Sequence, residues 1–263
     1  PNGVAAFPRD FQGTSLVWSN TSGYPADKTY REFYRDIGYD LPMEYIKPYI
    51  HEPAVRVFTG YKYWAITGHT DQKVPYQRSE AQKKVVEHAR NFIYNLKKKG
   101  RQLSAAMDAE PLYTLAYDAE LFGHWWFEGI DWLEQVIRLA AVQGEEISLV
   151  TPSLFLSREG ADLQTVRPAF SSWGQGGYSA VWLDGSNAWT YRHIHKAIER
   201  MEELAVRFND QISLKQRFLN QAAREVLLAM ASDWPFILFN KSSTEYAQKR
   251  VRDHLRNFNV VYG

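Results

Sequence analysis

Apolar residues recur at helical spacing in one long stretch. Val85, Val86, Ala89, Phe92, Ile93 and Leu96 share a face, which predicts a helix opened by Ser79 and ending near Met107. Gly100 is expected to stop or kink it. Pro111 then introduces Leu112 to Tyr117, a short, apolar, β-prone run that reads as a buried strand. A second helical pattern spans Asp131 to Val142, with Trp132, Leu133, Val136, Ile137 and Ala140 inward, and Ile147 to Val150 forms another short apolar strand. Strand, helix and strand with these connections predict the βαβ unit of a parallel sheet or barrel.

The periodicity changes after Asn187. Helices are expected near 188–208, 213–231 and 243–258, with Ile194, Ile198, Met201 and Leu204 at heptad-like positions, and Ser242-Ser243-Thr244-Glu245 offers a capping box to the last. Residues 1 to 27 are rich in Gly, Pro, Ser, Thr and Asn but carry Phe7, Phe11, Leu16, Val17, Trp18 and Tyr24, so they read as an ordered loop rather than a linker. Tyr30 to Tyr39 reads as a short amphipathic helix or turn, and residues 40 to 76 as irregular, broken by Pro42, Pro48, Pro53 and Pro75.

Bulk figures narrow the class. The chain has 263 residues, 31 Lys plus Arg against 30 Asp plus Glu, and no cysteine. The near-neutral charge gives no electrostatic case for nucleic acid or an anionic membrane surface. Thiolate metal sites and disulfides are excluded. No apolar run approaches the ~20 residues that span a bilayer, and no basic-then-apolar signal segment opens the chain. A cytoplasmic enzyme with no cofactor or metal is the expectation. His193 and His195, two apart on a helix, point to different faces and make a poor metal pair. Nine Trp, sixteen Tyr and fourteen Phe exceed what packing calls for and suit a carbohydrate cleft. The chain opens Pro1-Asn2-Gly3 without Met, as a fragment or the product of a nicked precursor would.

Candidate chemistry collects at the end of the first strand. Asp118 terminates it, Glu120 follows, Gly123 breaks the run, and His124, Trp125, Trp126 and Phe127 form an aromatic wall. Barrel enzymes place catalytic groups at such strand ends. Indole faces stack on sugar rings, and apolar surroundings raise a carboxyl pKa toward the range where it donates a proton near neutrality. If the strand continued, Glu120 would share a face with Asp118. Both would then approach a sugar from one side, so Glu120 is read as orienting a neighbour rather than as a nucleophile.

The run Asp118-Ala119-Glu120-Leu121-Phe122-Gly123-His124-Trp125-Trp126-Phe127-Glu128-Gly129 resembles the fourth sequence region of glycoside hydrolase family 57, in the form carried by its glucan-branching members. Four further stretches resemble the same family, Tyr30 to Tyr39 among them. Arg9-Asp10, Val17-Trp18-Ser19 and Gly23-Tyr24-Pro25 are similar to its substrate-side loop, Ser171-Ser172-Trp173-Gly174 with Gly176-Gly177-Tyr178 to its fifth region, and Ser232-Asp233-Trp234-Pro235-Phe236 to a motif of its C-terminal helical domain.

The resemblance implies a second half of an incomplete (β/α)7 barrel over residues 1 to 185, followed by an α-helical bundle over 186 to 263: an α/β fold class overall. It implies Asp118 as general acid/base, Arg9 and Asp233 as sugar-hydroxyl partners, and Trp18 and Trp173 as stacking surfaces. Ala26 stands where relatives carry Gly, and Phe170 where some carry Trp. The implied reaction is retaining transfer of α-1,4-glucan, as in amylose or glycogen, to form α-1,6 branches. Retaining enzymes need two carboxylates about 5 to 5.5 Å apart. The family's nucleophilic Glu motif and its His-containing first motif are absent from this sequence, so a missing N-terminal half is expected as partner. Amylase, 4-α-glucanotransferase and non-catalytic glucan-binding readings stay open.

Overall fold

A computed structural model describes residues 3–19, 21–51, 55–107, 110–142, 146–158, 163–208 and 213–263. Pro1, Asn2 and Pro53 lie outside them. The residues divide into two compact units, Pro1–Thr165 and Val166–Gly263. Residues 166–185 fall in the second of these units.

In the first unit, α1 is Phe11–Trp18, α2 Ile37–Asp40, α3 Met43–Ile46, α4 Arg78–Ser104, α5 Gly129–Val142 and α6 Pro152–Leu156. Helix α4 buries Ala81, Val85, Ala89, Phe92, Ile93 and Leu96, which is the expected stripe. That stripe meets Trp132, Val136 and Ala140 of α5, with Phe92 edge-on to Trp132 at 5.0 Å between ring centroids. Each fully buried side chain of this size contributes about 1.5–3 kcal/mol. Gly100 neither stops nor ends α4, which continues to Ser104. Two of the three lysines at its end are ion-paired, Lys97 with Glu146 and Lys99 with Asp10.

Helix α1 replaces part of the expected loop. Its start is an N-cap: the Asp10 Oδ1 accepts the Gly13 N–H at 2.7 Å, and the Thr14 hydroxyl donates to the Asp10 carbonyl at 2.5 Å. Gly13, Thr14 and Ser15 weaken the helical signal in the sequence, and the cap and the burial of Val17 outweigh them.

The expected strands are corrected. Among the described residues the chain is helical, and 112–117 and 147–150 run extended without a ladder. Thr114 forms one isolated parallel bridge with Arg9, while Arg31–Ala65 and Trp64–Pro75 are isolated antiparallel bridges. A β-prone run becomes sheet only when neighbouring strands take up its amide and carbonyl groups, and the described residues supply a single bridge to this one. The described residues between 30 and 76 are held by those bridges and by side chains. Asp36, fully buried, accepts from the Gly38, Thr59 and Gly60 amides and the Thr59 hydroxyl. Burial alone would raise its pKa; these bonds outweigh it and hold the carboxyl below its ordinary value.

In the second unit, α7 is Trp189–Arg207, α8 Ser213–Ala229, α9 Asp233–Asn240 and α10 Thr244–Tyr262. Ala197, Ala222, Val226 and Phe258 gather α7, α8 and α10 around one cluster, and Trp234, Leu238, Ala247 and Val251 gather α9 and α10 around another. The capping box expected at 242–245 does not form. Lys241 closes α9 in the left-handed region (φ 56°), and Ser243 at the end of the link has φ −155°, ψ 57° and no side-chain cap bond. An N-cap hydroxyl reaches the helix amides from an extended backbone, which Ser243 lacks. No described helix is long and apolar enough to cross a membrane.

Candidate active site

The Asp118 segment is anchored along its length to the start of α1. The Asp10 N–H donates to the Thr114 carbonyl at 2.8 Å, and the Tyr117 hydroxyl to the Gly13 carbonyl at 3.1 Å. Gly13 permits this approach, because a Cβ there would stand 2.7 Å from Leu115 Cδ2. Burial, ahead of the nearby Asp10 charge, raises the Tyr117 pKa, so its proton stays available for that bond.

At the end of the extended run Asp118 has φ −71°, ψ 138° and no cap bond from its side chain. Its carbonyl accepts the Leu121 N–H at 3.2 Å, which starts a 3-10 turn over Ala119–Leu121. The carboxylate is half-buried and, among the described residues, takes part in no hydrogen bond or ion pair. The turn corrects the reading of Glu120. The strand does not continue through it, so the two carboxylates do not share a strand face; Glu120 is exposed and its carbonyl accepts the Trp125 N–H at 3.2 Å.

Gly123 reverses the chain with φ +89°, and a Cβ there would meet Ile130 at 2.7 Å. The reversal splits the aromatic wall into two roles. Trp126, 2% exposed, is core rather than wall and packs against Tyr30 and Trp132. Trp125 stays 43% exposed and meets Trp18, 41% exposed. Phe127 carries the Arg31 guanidinium over its ring at 3.6 Å. Arg9 is exposed and forms the bridge to Thr114. Ala26 is half-buried at the end of the 3-10 turn Tyr24–Ala26, its N–H donated to the Gly23 carbonyl at 3.1 Å.

The residues that sequence reasoning passed over include Glu128. It is fully buried, and its Oε1 accepts the Arg31 N–H at 3.2 Å. Its Oε2 and the adjacent Tyr76 hydroxyl have no partner of full hydrogen-bond geometry. Burial pushes the Glu128 pKa up, against the opposing pull of Tyr76 and Arg31. The signal in the sequence was an acid directly between Phe127 and Gly129, a context with little room for solvation.

In the second unit, Gly174, Gly176 and Gly177 all take positive φ (109°, 78° and 74°), as the glycine run requires. The Ser172 N–H donates to the Gly177 carbonyl at 2.7 Å, and the Trp182 indole N–H donates to the Trp173 carbonyl. Phe170, Trp173 and Tyr178 stand exposed on this loop. Asn187, also missed, is buried and donates to both the Val181 carbonyl (3.0 Å) and the Pro235 carbonyl (3.2 Å). With Trp182 tilted against Phe236 at 6.2 Å, it brings the Trp173 loop and the start of α9 together. Asp233 is the exposed first residue of that helix.

Comparisons with known proteins agree on one family. Residues 193–263 match the model for the C-terminal part of 1,4-alpha-glucan branching enzyme. A 1,4-alpha-glucan branching enzyme of Thermococcus kodakarensis is 34% identical over 260 residues, 97% of this chain and 35% of that protein. Its crystal structure, solved in complex with glucose and additives, has a TM-score of 0.82. The crystal structure of the alpha-amylase AmyC from Thermotoga maritima is 42% identical, with a TM-score of 0.85 over 100% of this chain and 49% of that one. A GH57-type branching enzyme from Pyrococcus horikoshii is 35% identical, with a TM-score of 0.85 over 99% and 45%.

The chain is thus homologous to glycoside hydrolase family 57 enzymes. The similarity runs both to proteins named 1,4-alpha-glucan branching enzymes and to one named an alpha-amylase, and the match to the branching-enzyme C-terminal model is confined to residues 193–263. It spans less than half the length of the curated relatives.

Proposed function

We propose that this chain supplies the general acid/base and part of the glucan surface of an α-glucan branching enzyme, Asp118 being the proton carrier. The observation that supports this most is the state of Asp118. A half-buried carboxylate at the end of an anchored extended run, with no bond to spend among the described residues, is free to meet a substrate. The half-exposed Trp18 and Trp125 beside the same motif offer indole faces to sugar rings.

The chemistry is a double displacement. A nucleophilic carboxylate from the part of the enzyme outside this chain attacks C1 of the glucose unit being transferred. Asp118, protonated, gives its proton to the departing 4-oxygen of the rest of the chain. A covalent glycosyl-enzyme remains and Asp118 is now a carboxylate. It takes the proton from the 6-hydroxyl of an acceptor glucan as that oxygen attacks C1 and frees the nucleophile. The product holds an α-1,6 link and both carboxyl groups regain their starting states. Arg9, Trp18 and Ala26 contribute to glucan binding from the first unit, and Phe170, Trp173 and Asp233 from the second. Residues 112–117 and 147–150, which form no ladder among the described residues, would pair only against strands of a (β/α)7 barrel supplied by the part of the enzyme outside this chain, in a cytoplasmic enzyme acting on amylose or glycogen.

The test uses the full-length enzyme and amylose, scoring α-1,6 linkages by proton NMR. Asp118→Asn is expected to lower turnover by at least 100-fold, the low end of what a positioned acid/base contributes, with glucan affinity retained. Unchanged turnover removes the assignment. A second reading, hydrolysis, has the 42% identity to a protein described as an alpha-amylase behind it. Release of reducing ends without α-1,6 links selects it.

A further inference from the structure

Residues 24–30 form a loop pressed on one face of α4, and a single imidazole reaches three of its side chains. The Tyr24 ring stacks on His88, 4.6 Å between centroids and 28° between planes, while the Tyr24 hydroxyl donates to Asn91 Oδ1 at 2.8 Å. The Tyr30 hydroxyl lies 2.8 Å from His88 Nδ1. On the other side of the ring, Nε2 lies 3.7 Å from Asp27 Oδ2. Asp27 is itself aimed, because its Oδ1 accepts the Thr29 N–H at 2.9 Å and the Thr29 hydroxyl at 2.7 Å, leaving Oδ2 toward the imidazole. Tyr30 is fully buried and leans on Trp126 of the Asp118 motif, 5.6 Å between centroids.

We propose that His88 is a positioning residue for glucan binding: its stacked ring and its Nδ1 hold Tyr24 and Tyr30, and so fix the 24–30 loop and the presentation of Ala26. The proposal rests on the reading of Ala26 as a glucan contact given above.

The hydrogen positions follow from the surroundings. Burial raises the Tyr30 pKa far above its ordinary value, with the Glu128, Asp27 and Glu87 charges adding to it, so Tyr30 keeps its proton. Burial lowers the His88 pKa; Asp27 and Glu87 pull the other way and Lys84 adds to the lowering. At neutral pH the ring is therefore neutral. Nδ1 accepts from Tyr30, and Nε2 carries the proton that faces Asp27. Acid turns Nδ1 into a donor. The Tyr30 hydroxyl must then accept where it had donated, its own proton is left without an acceptor, and the charged ring is drawn toward Asp27, so the loop's fixed point shifts.

The experiment uses the full-length enzyme and steady-state kinetics on amylose from pH 4.5 to 8. His88→Phe keeps a ring for Tyr24 to stack on and removes both nitrogens; Tyr30→Phe removes the same bond from the other side. Each is expected to raise KM about threefold to tenfold, the range a neutral hydrogen bond spans, with kcat within about twofold. The wild type is expected to show a rise of KM on the acid side that vanishes in both variants, and the double variant should be no worse than the more affected single one. Unchanged KM in both variants, or equal loss in kcat and kcat/KM, overturns the proposal.

Nitrogen-15 NMR of the wild-type imidazole gives a measurement independent of variant folding and of turnover. A neutral ring with its proton on Nε2 supports the proposal, and a proton on Nδ1 overturns it. Retained turnover in Asp118→Asn would instead strike the proposed function and leave this tautomer test standing.

Discussion

Trp18 meets Trp125 edge to face, 6.2 Å between ring centroids and 73° between planes, although the two residues come from α1 and from the turn after Asp118. Such pairs are worth about 0.5–1.5 kcal/mol beyond their buried area. Each indole still leaves roughly two-fifths of its residue open, so the pair is both a packing contact and an available surface. In full-length Asp118→Asn, which binds without turnover on the reading above, Trp18→Ala and Trp125→Ala should each weaken binding of a maltooligosaccharide several-fold by calorimetry. Their combined effect should fall short of the sum by about 0.5–1.5 kcal/mol. Strict additivity would mean that the contact does not shape the surface.

Glu128 gives a pH prediction whose sign can be worked out. Its folded pKa lies above the ordinary value of 4.5. A carboxyl raised on folding stabilises fully below its unfolded pKa, and that contribution is lost as pH rises through the folded value. Wild-type stability should therefore fall as pH climbs from about 4.5 through the raised pKa. Glu128→Gln keeps an oxygen for the Arg31 N–H and has no charge to bury. Its melting temperature should match or exceed the wild type at pH 7, and the difference should shrink toward pH 4. A constant difference across that range would show that Glu128 does not titrate in the folded protein.

How much of this was readable from sequence depends on whether a signal was local. The α4 stripe is carried by six residues whose spacing alone states which face is buried, so α4 was legible to within a residue at its start. Gly174, Gly176 and Gly177 permit the positive φ they adopt for a reason equally local, the lack of a Cβ. Helix α1 was not legible, because Gly13, Thr14 and Ser15 argue against a helix while its cap and its packing are set by Asp10 and by the distant Leu115 and Tyr117. The run at 112–117 carries strand residues, but a ladder is a property of neighbours. Of the candidate site, the residues came from motif resemblance. The division of labour between Trp125 and Trp126 required the fold, because two adjacent indoles look alike until a turn sends one inward.

That turn is set by Gly123. With φ +89° and Ile130 standing 2.7 Å from where a Cβ would be, Gly123→Ala meets both backbone strain and a clash. Holding a non-glycine residue there costs about 1–3 kcal/mol. Urea denaturation of full-length Gly123→Ala should show that loss. Because the strain falls between Asp118 and the Trp125–Trp126 pair, branching activity should drop as well, even at temperatures where the variant is fully folded. Wild-type activity with wild-type stability would mean that Ile130 yields without moving the motif.

Asn187 is a buried tie within the second unit, beside the Trp173 loop and the start of α9 that are proposed above to meet glucan. Its buried amide ties the Val181 and Pro235 carbonyls together, and its Oδ1 accepts the Asp184 N–H at 2.8 Å. Asn187→Leu keeps most of the volume but strands two carbonyls and one amide, each costing about 1–3 kcal/mol if water does not reach it. Asn187→Asp retains the acceptor for Asp184 but sets a carboxylate oxygen against the Val181 and Pro235 carbonyls and buries a charge. Both variants should therefore be less stable than the wild type. The consequence for binding is more specific. Trp173 and Asp233 keep their own chemistry in both variants and lose only their fixed spacing, so affinity for long glucans should fall more than affinity for glucose or maltose. Equal weakening toward all chain lengths would argue that Asn187 stabilises the unit without setting that spacing.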